Sequence, residues 1–236
     1  PEAMSADDIA VRLEQVSKVY RHDSIEVHAL RGVDLEIRKG DFAVLVGPSG
    51  SGKTTLLNVI GGLDAPSGGR AWVAGTEIGR LSKSALSEVR LRKIGFVFQE
   101  FNLIPVLSAL ENVEFVMLLQ GTPERERRAR ALGLLKELGL EGLEHRRPRE
   151  LSGGQQQRVA VARAIAAEPI IVLPDEPTAN LDSEAGGALM DMMRRLNEDK
   201  GVTFVFSTHD PMVVERARRV IRLKDGQVVA DERRPA

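Results

Sequence analysis

Nine consecutive residues, Gly47-Pro48-Ser49-Gly50-Ser51-Gly52-Lys53-Thr54-Thr55, limit what this chain can fold into more than any other feature. They match the pattern G-x-x-x-x-G-K-[S/T], and their flanks are the ones the pattern needs. Phe42-Ala43-Val44-Leu45-Val46 is apolar at every position, which marks a strand buried on both faces. Leu56, Leu57 and Ile60 follow on one face of a helix. Glycines between such a strand and helix let the backbone curl so that successive N–H groups point inward, and the helix adds the positive end of its dipole. A loop of this kind cradles phosphate. Lys53 would reach the β- and γ-phosphates, and the Thr54 hydroxyl would hold Mg²⁺.

The rest of the chain alternates in a way that suits such a loop. Val11, Leu13, Val16 and Val19 begin one strand-like stretch, and Leu30, Val33, Leu35 and Ile37 a second. Arg70–Ala74 and Ile94–Phe98 read as further strands, separated by a polar helix around Ser84–Arg92. Ile170–Leu173 and Val202–Phe206 read as buried strands, each preceded by a helix, the first starting near Gly154. This alternation signals an α/β fold with a mainly parallel sheet. From about residue 100 to about 153 only helical patterns occur. Ser108-Ala109-Leu110-Glu111 is a capping box, and Thr122-Pro123 opens a charged helix toward Leu138 with proline in its first turn. That segment reads as an insertion in a single domain spanning 4–236, whose core takes about 4–99 and 154–236. The run Glu124-Arg125-Glu126-Arg127-Arg128 reads as a solvated helix face.

Composition removes several classes of function. There is no cysteine, hence no disulfide framework and no thiolate metal site. Lys+Arg (33) and Asp+Glu (34) nearly cancel, so no global field steers the chain to nucleic acid, and none is expected as a partner. The apolar stretches are strand-length, well below the ~20 residues of a spanning helix, so a soluble chain is expected. Pro1-Glu2-Ala3-Met4-Ser5-Ala6-Asp7-Asp8 is acidic and lacks the pattern of a secretory signal, and Met4 is a natural start position.

Two further motifs extend the phosphate reading. Ile170-Ile171-Val172-Leu173-Pro174-Asp175-Glu176 ends a buried strand in two carboxylates. Beside a phosphate loop, Asp175 would hold Mg²⁺ through water and Glu176 would polarise an attacking water as general base. Leu151-Ser152-Gly153-Gly154-Gln155 offers bare N–H groups and a hydroxyl to an anion at a helix start, with Val159, Ala160 and Ile165 to anchor that helix.

With these motifs in this order, the chain resembles the nucleotide-binding subunit of ABC transporters over essentially its whole length. The resemblance implies a RecA-like P-loop NTPase core, an N-terminal antiparallel β-subdomain and an inserted α-helical subdomain. It implies ATP and Mg²⁺ as ligands, ATP hydrolysis as the activity, and a second copy of the cassette as partner. Leu151–Gln155 would then complete the site of the other subunit, and Asn180-Leu181-Asp182 matches the loop that crosses the dimer interface. Gln99 matches the glutamine that senses Mg²⁺ and the nucleophilic water, and His209 the switch histidine at the γ-phosphate. Tyr20, the only tyrosine, sits where the family stacks an aromatic ring on adenine. Pro174 departs from the family's small residue before the Mg²⁺ aspartate, and a proline there withholds a ladder N–H and can tilt Asp175 and Glu176.

Phe96–Pro105 continuing to Leu110-Glu111-Asn112-Val113 is similar to the lipoprotein-releasing and macrolide-export branch, as are Gly61–Asp64 and Gln155–Arg158. The implied partners are integral-membrane permease chains, which would place the cassette on the cytoplasmic face of the inner membrane. Phe101, Leu103, Ile104, Pro105 and Leu107 form an apolar run suited to a permease's cytoplasmic helix. An amino-acid-type importer and a cell-division ATP switch are the alternatives within the same family.

Overall fold

The structure, a computed structural model, describes residues 8–22 and 25–234, so the reading of the first seven residues lies outside it. Strands β1 (Ile9–His22), β2 (Ile25–Arg38), β4 (Gly68–Val73) and β5 (Thr76–Glu77) form an antiparallel sheet in the order β2-β1-β4-β5. The second sheet has the order β10-β9-β3-β8-β7-β6. In it β3 (Phe42–Val46), β6 (Ile94–Val97), β7 (Ile171–Pro174), β8 (Thr203–Ser207) and β9 (Arg219–Lys224) run parallel, and β10 (Gln227–Arg233) closes one edge antiparallel. The fold is α/β, as expected.

β3 shows why the central strands are apolar throughout. Its alternate residues enter two separate cores, because successive side chains of a strand point to opposite faces. Phe42, Val44 and Val46 join one core with Phe204 and Phe206, beneath α3 (Ala109–Leu119), α4 (Glu124–Glu137), α5 (Gly153–Ala166) and α6 (Ser183–Lys200). Ala43 and Leu45 join the other, between α1 (Lys53–Ile60) and the antiparallel sheet. Edge-on contacts of the Phe42 ring with Phe204 at 5.7 Å and Phe206 at 4.8 Å lock the first core.

Local signals set the helix ends. Ser108 and Glu111 make the expected capping box at α3, and Ser152 with Gln155 makes another at α5. Asp182 caps α6 by accepting from the Ala185 N–H at 2.8 Å, and Gly201 at φ 66° ends it. α2 (Lys83–Lys93) starts on Ser82 and α7 (Pro211–Arg216) on Asp210. Pro123 sits one residue earlier than expected: it is the N-cap of α4, extended at φ −57° and ψ 145°, and not part of the first turn.

The β9–β10 hairpin has no counterpart in the sequence reading. It is held by Arg219, which is buried and donates to Asp41 Oδ2 at 2.7 Å and to both oxygens of Asp231 at 2.8 and 2.6 Å. Arg233 adds a bond to Asp41 Oδ1 at 3.0 Å. Replacing Arg219 by Gln leaves the buried Asp41 short of a donor and is expected to cost about 2–4 kcal/mol in chemical denaturation at neutral pH. Its bonds to Asp231 hold that carboxyl below the usual range, more than offsetting the opposite effect of burial. A depressed carboxylate contributes stability above its unfolded pKa, ~3.9, and loses it as pH falls through the folded value. The gap between wild type and Arg219→Gln should therefore narrow below about pH 4.

Candidate nucleotide site

The loop between β3 and α1 is built around two glycines. A Cβ on Gly47 would lie 2.2 Å from the Leu223 carbonyl oxygen. Gly52 takes φ 103° directly before α1, with the Ala29 oxygen 2.6 Å from where a Cβ would be. No side chain caps α1, so its first N–H groups face the loop interior. Lys53 Nζ donates to the Gly47 and Pro48 carbonyls at 2.7 and 3.1 Å, folding the loop over its own ammonium. Ser51 Oγ is buried there without a hydrogen-bond partner. Behind the loop stands the turn of the terminal hairpin: Gly226 N–H donates to the Ser51 carbonyl at 3.1 Å and the Gly226 carbonyl accepts from Arg31 N–H at 2.8 Å.

An open cleft of ≈ 740 Å³ lies over this loop. Glu176, His209 and Tyr20 border it together with Gly47–Gly50 and Gly52–Thr55. Glu176 has φ 46°, strained for a residue with a side chain. Its backbone N–H is tied to the Ser207 carbonyl at 2.8 Å. Its carboxylate meets His209 Nδ1 at 2.8 Å and accepts from the Thr208 hydroxyl at 3.2 Å. The carboxylate is mostly shielded, at 18% exposure, while the imidazole is open at 77%. Thr54 Oγ1 lies 3.4 Å from Asp175 Oδ1. Burial pushes the Asp175 carboxyl up, and the neighbouring Glu176 charge adds to this. One hydroxyl and one carboxylate beside a phosphate cradle fit Mg²⁺, an ion usually held by one or two carboxylates together with substrate phosphates.

Pro174 sits at a break in the ladder between β7 and β8. The ladder between β7 and β8 pairs Ile171 and Val172, lapses at Leu173 and Pro174, and resumes with Asp175 opposite Ser207. Asp175 N–H still donates to the Val97 carbonyl at 2.9 Å, so the missing proline N–H falls in the gap.

The other motif residues stand elsewhere. Ser152, Gly153, Gly154 and Gln155 line a second groove of ≈ 320 Å³ with Asn180, Leu181 and Asp182, and no residue of the phosphate loop borders it. Leu151 is buried behind it. Gln99 is exposed and borders neither hollow; its carbonyl accepts from Asn180 Nδ2 at 2.9 Å. Just beyond, Phe101 and Asn102 both have positive φ, at 61° and 47°. Arg163 of α5 clasps them by donating to the carbonyls of both. Most of the predicted site residues thus fall into two separate hollows, and the Gln99 loop is tied to the second through Asn180.

The ABC transporter family model matches residues 30–179 of this chain. The chain belongs to the ABC transporter family. It is an ABC ATPase cassette, and solved relatives share its fold. The lipoprotein-releasing system ATP-binding protein LolD of Anaeromyxobacter dehalogenans is 46% identical, over 94% of this cassette and 93% of that protein. The macrolide export ATP-binding/permease protein MacB of Brucella melitensis is also 46% identical over 94% of the cassette, which spans only 34% of that longer chain. The cassette of Methanocaldococcus jannaschii, solved as a dimer in a post-hydrolysis state with ADP and Pi, superposes with a TM-score of 0.88 at 45% identity. That match covers 96% of this chain and 99% of the other.

Sequence reasoning missed three residues of the cleft wall, Val27, His28 and Ala29. β1 and β2 pair so that Val27 lies opposite Tyr20, and this register carries the three into the cleft. It also missed the brace at Gly226, for which Asp225-Gly226 between apolar-alternating strands is the local signal.

Proposed function

We propose that this cassette is the ATP-driven motor of a membrane complex, working as a head-to-tail homodimer with permease chains of the export or lipoprotein-extraction type. The separation of the Ser152–Asn180 groove from the phosphate cleft carries this reading. Neither half-site is complete alone, and each offers what the other lacks: a triphosphate cradle on one side, bare helix N–H groups and a hydroxyl on the other. The dimeric state of the Methanocaldococcus jannaschii cassette supports the same arrangement.

In this mechanism the loop Gly47–Thr55 wraps the phosphates of ATP, and Lys53 leaves its two carbonyls for the β- and γ-phosphates. Thr54, Asp175 and Gln99 would hold Mg²⁺, which neutralises charge on the phosphates. Glu176 takes a proton from the attacking water, while His209, hydrogen-bonded to it, reaches from the end of the neighbouring strand β8 toward the γ-phosphate. Ser152, Gly153 and Gly154 of the partner copy close the site from above, with Asn180–Asp182 at the interface. Gln99 enters the site as its loop is repositioned. Arg163 of α5 and Asn180 grip that loop, so closure at the start of α5 moves it.

The helical segment of about 100–153 is the arm that meets the permease. Val106 is 70% exposed, and Phe101 and Leu103 pack partly on the core, so the docking surface centres on Ile104–Leu107. No helix among the described residues is long and apolar enough to cross a membrane. In this reading the permease chains hold the cassette at the cytoplasmic face. MacB, as an ATP-binding/permease protein, joins both parts in one chain. Copurification from detergent extracts tests the assignment. A multi-span permease of the export type is expected to come with the cassette. An importer permease or division proteins would overturn the export reading.

A further inference from the structure

We propose that Asp64, which does not border the cleft, fixes the Tyr20 ring as the platform for the nucleotide's purine base. The inference rests on the reading of Tyr20 as the base-stacking residue and adds the side chains that orient it. Tyr20 lies near the end of β1, and its hydroxyl donates to Asp64 Oδ2 at 2.6 Å. The other oxygen of Asp64 accepts from Lys18 Nζ, which also donates to the Ala65 carbonyl at 2.8 Å. The same ammonium stands 4.9 Å from the centroid of the Tyr20 ring. Lys18 thus covers one face of the ring, and Tyr20 borders the cleft while Lys18 does not.

The electrostatics keep this arrangement fixed. Burial works to raise the Asp64 carboxyl, but the bonds from Lys18 and Tyr20 hold it below the usual range. It is therefore ionised at neutral pH and accepts both bonds in charge-assisted form. Asp64 is itself anchored to the helix of the phosphate loop, its N–H donating to the Asn58 carbonyl at 3.2 Å. The ring is thus oriented before any ligand arrives, and binding does not have to order it. Val27, opposite Tyr20 across the sheet and 53% exposed, adds an apolar neighbour for the base.

Calorimetric titration of the full chain with Mg-ATP and with inorganic tripolyphosphate, which has no base, tests this. Tyr20→Phe removes the bond to Asp64 and Asp64→Asn strips it of its charge, and both keep the ring. Each should weaken ATP binding about three- to tenfold and leave tripolyphosphate binding unchanged. Tyr20→Ala should weaken ATP binding at least as much, and adding Asp64→Asn to it should cost nothing further. Equal losses for ATP and tripolyphosphate would show that Asp64 only holds the fold. An undiminished effect in the Tyr20→Ala background, or no effect in either single variant, would also overturn the proposal. Unchanged ATP affinity in Tyr20→Ala would instead remove the stacking reading and this inference with it. Should Asp64→Asn fail to fold, Tyr20→Phe tests the same bond without touching the carboxylate.

Discussion

Glu176→Gln is expected to bind ATP with near-normal affinity, to hydrolyse it roughly 10²–10⁴-fold more slowly, and to collect as an ATP-dependent dimer on gel filtration. The amide keeps the shape of the side chain and can still reach His209 Nδ1, now 2.8 Å from the carboxylate. It cannot take a proton from water. Glu176 sits at a left-handed backbone position, φ 46°, which strains Gln no more than Glu. The slowed step is the chemical one, so the closed state ahead of it should accumulate. A variant that stays monomeric in ATP and turns over at the normal rate would remove Glu176 as the base.

Lys53→Ala should fail one step earlier. Lys53 holds the phosphate loop by its bonds to Gly47 and Pro48, and in the proposed mechanism it transfers that ammonium to the phosphates. Alanine removes both functions, and turnover should fall roughly 10²–10³-fold, the scale of losing one preorganised donor to a developing oxyanion. Unlike Glu176→Gln, it should show weak ATP binding and no ATP-dependent dimer. Titration with ATP and gel filtration of the two variants side by side separate the steps. Tight ATP binding and a stable dimer in Lys53→Ala would contradict the role given to this lysine.

Some of this molecule could be read directly from its residues, and the reasons differ from part to part. The phosphate loop was legible because its chemistry is local: Gly47 and Gly52 sit where a Cβ would collide with the Leu223 and Ala29 oxygens. β3 was legible because both of its faces are buried in separate cores. β9 was not, since Arg219, Arg222 and Lys224 break its apolar run, and only the tertiary fold shows that Arg219 points inward to Asp41. Val27, His28 and Ala29 were hidden for another reason. Their place in the cleft depends on how β2 registers against β1, which bulges at several points along the pair. The bond from Tyr20 to Asp64 joins residues 44 positions apart, and no spacing rule reaches it. The division of the motif residues between two hollows is likewise a property of the folded surface, although the family resemblance had implied it.

That division also supplies the most direct test of the head-to-tail account. Lys53→Ala disables the phosphate cleft, and Gly153→Asp would set a carboxylate in the second groove against the partner's γ-phosphate. Gly153 has room, with no atom closer than 3.7 Å to an added Cβ, and an aspartate suits the first turn of α5. Each variant alone should be nearly inactive. Mixed in equal amounts, they form heterodimers in which the intact cleft of one copy meets the intact groove of the other. ATPase activity should then rise several-fold above the sum of the two variants alone, since each mixed dimer has one whole site. A mixture no more active than the sum of its parts would mean that the two hollows do not meet across a dimer.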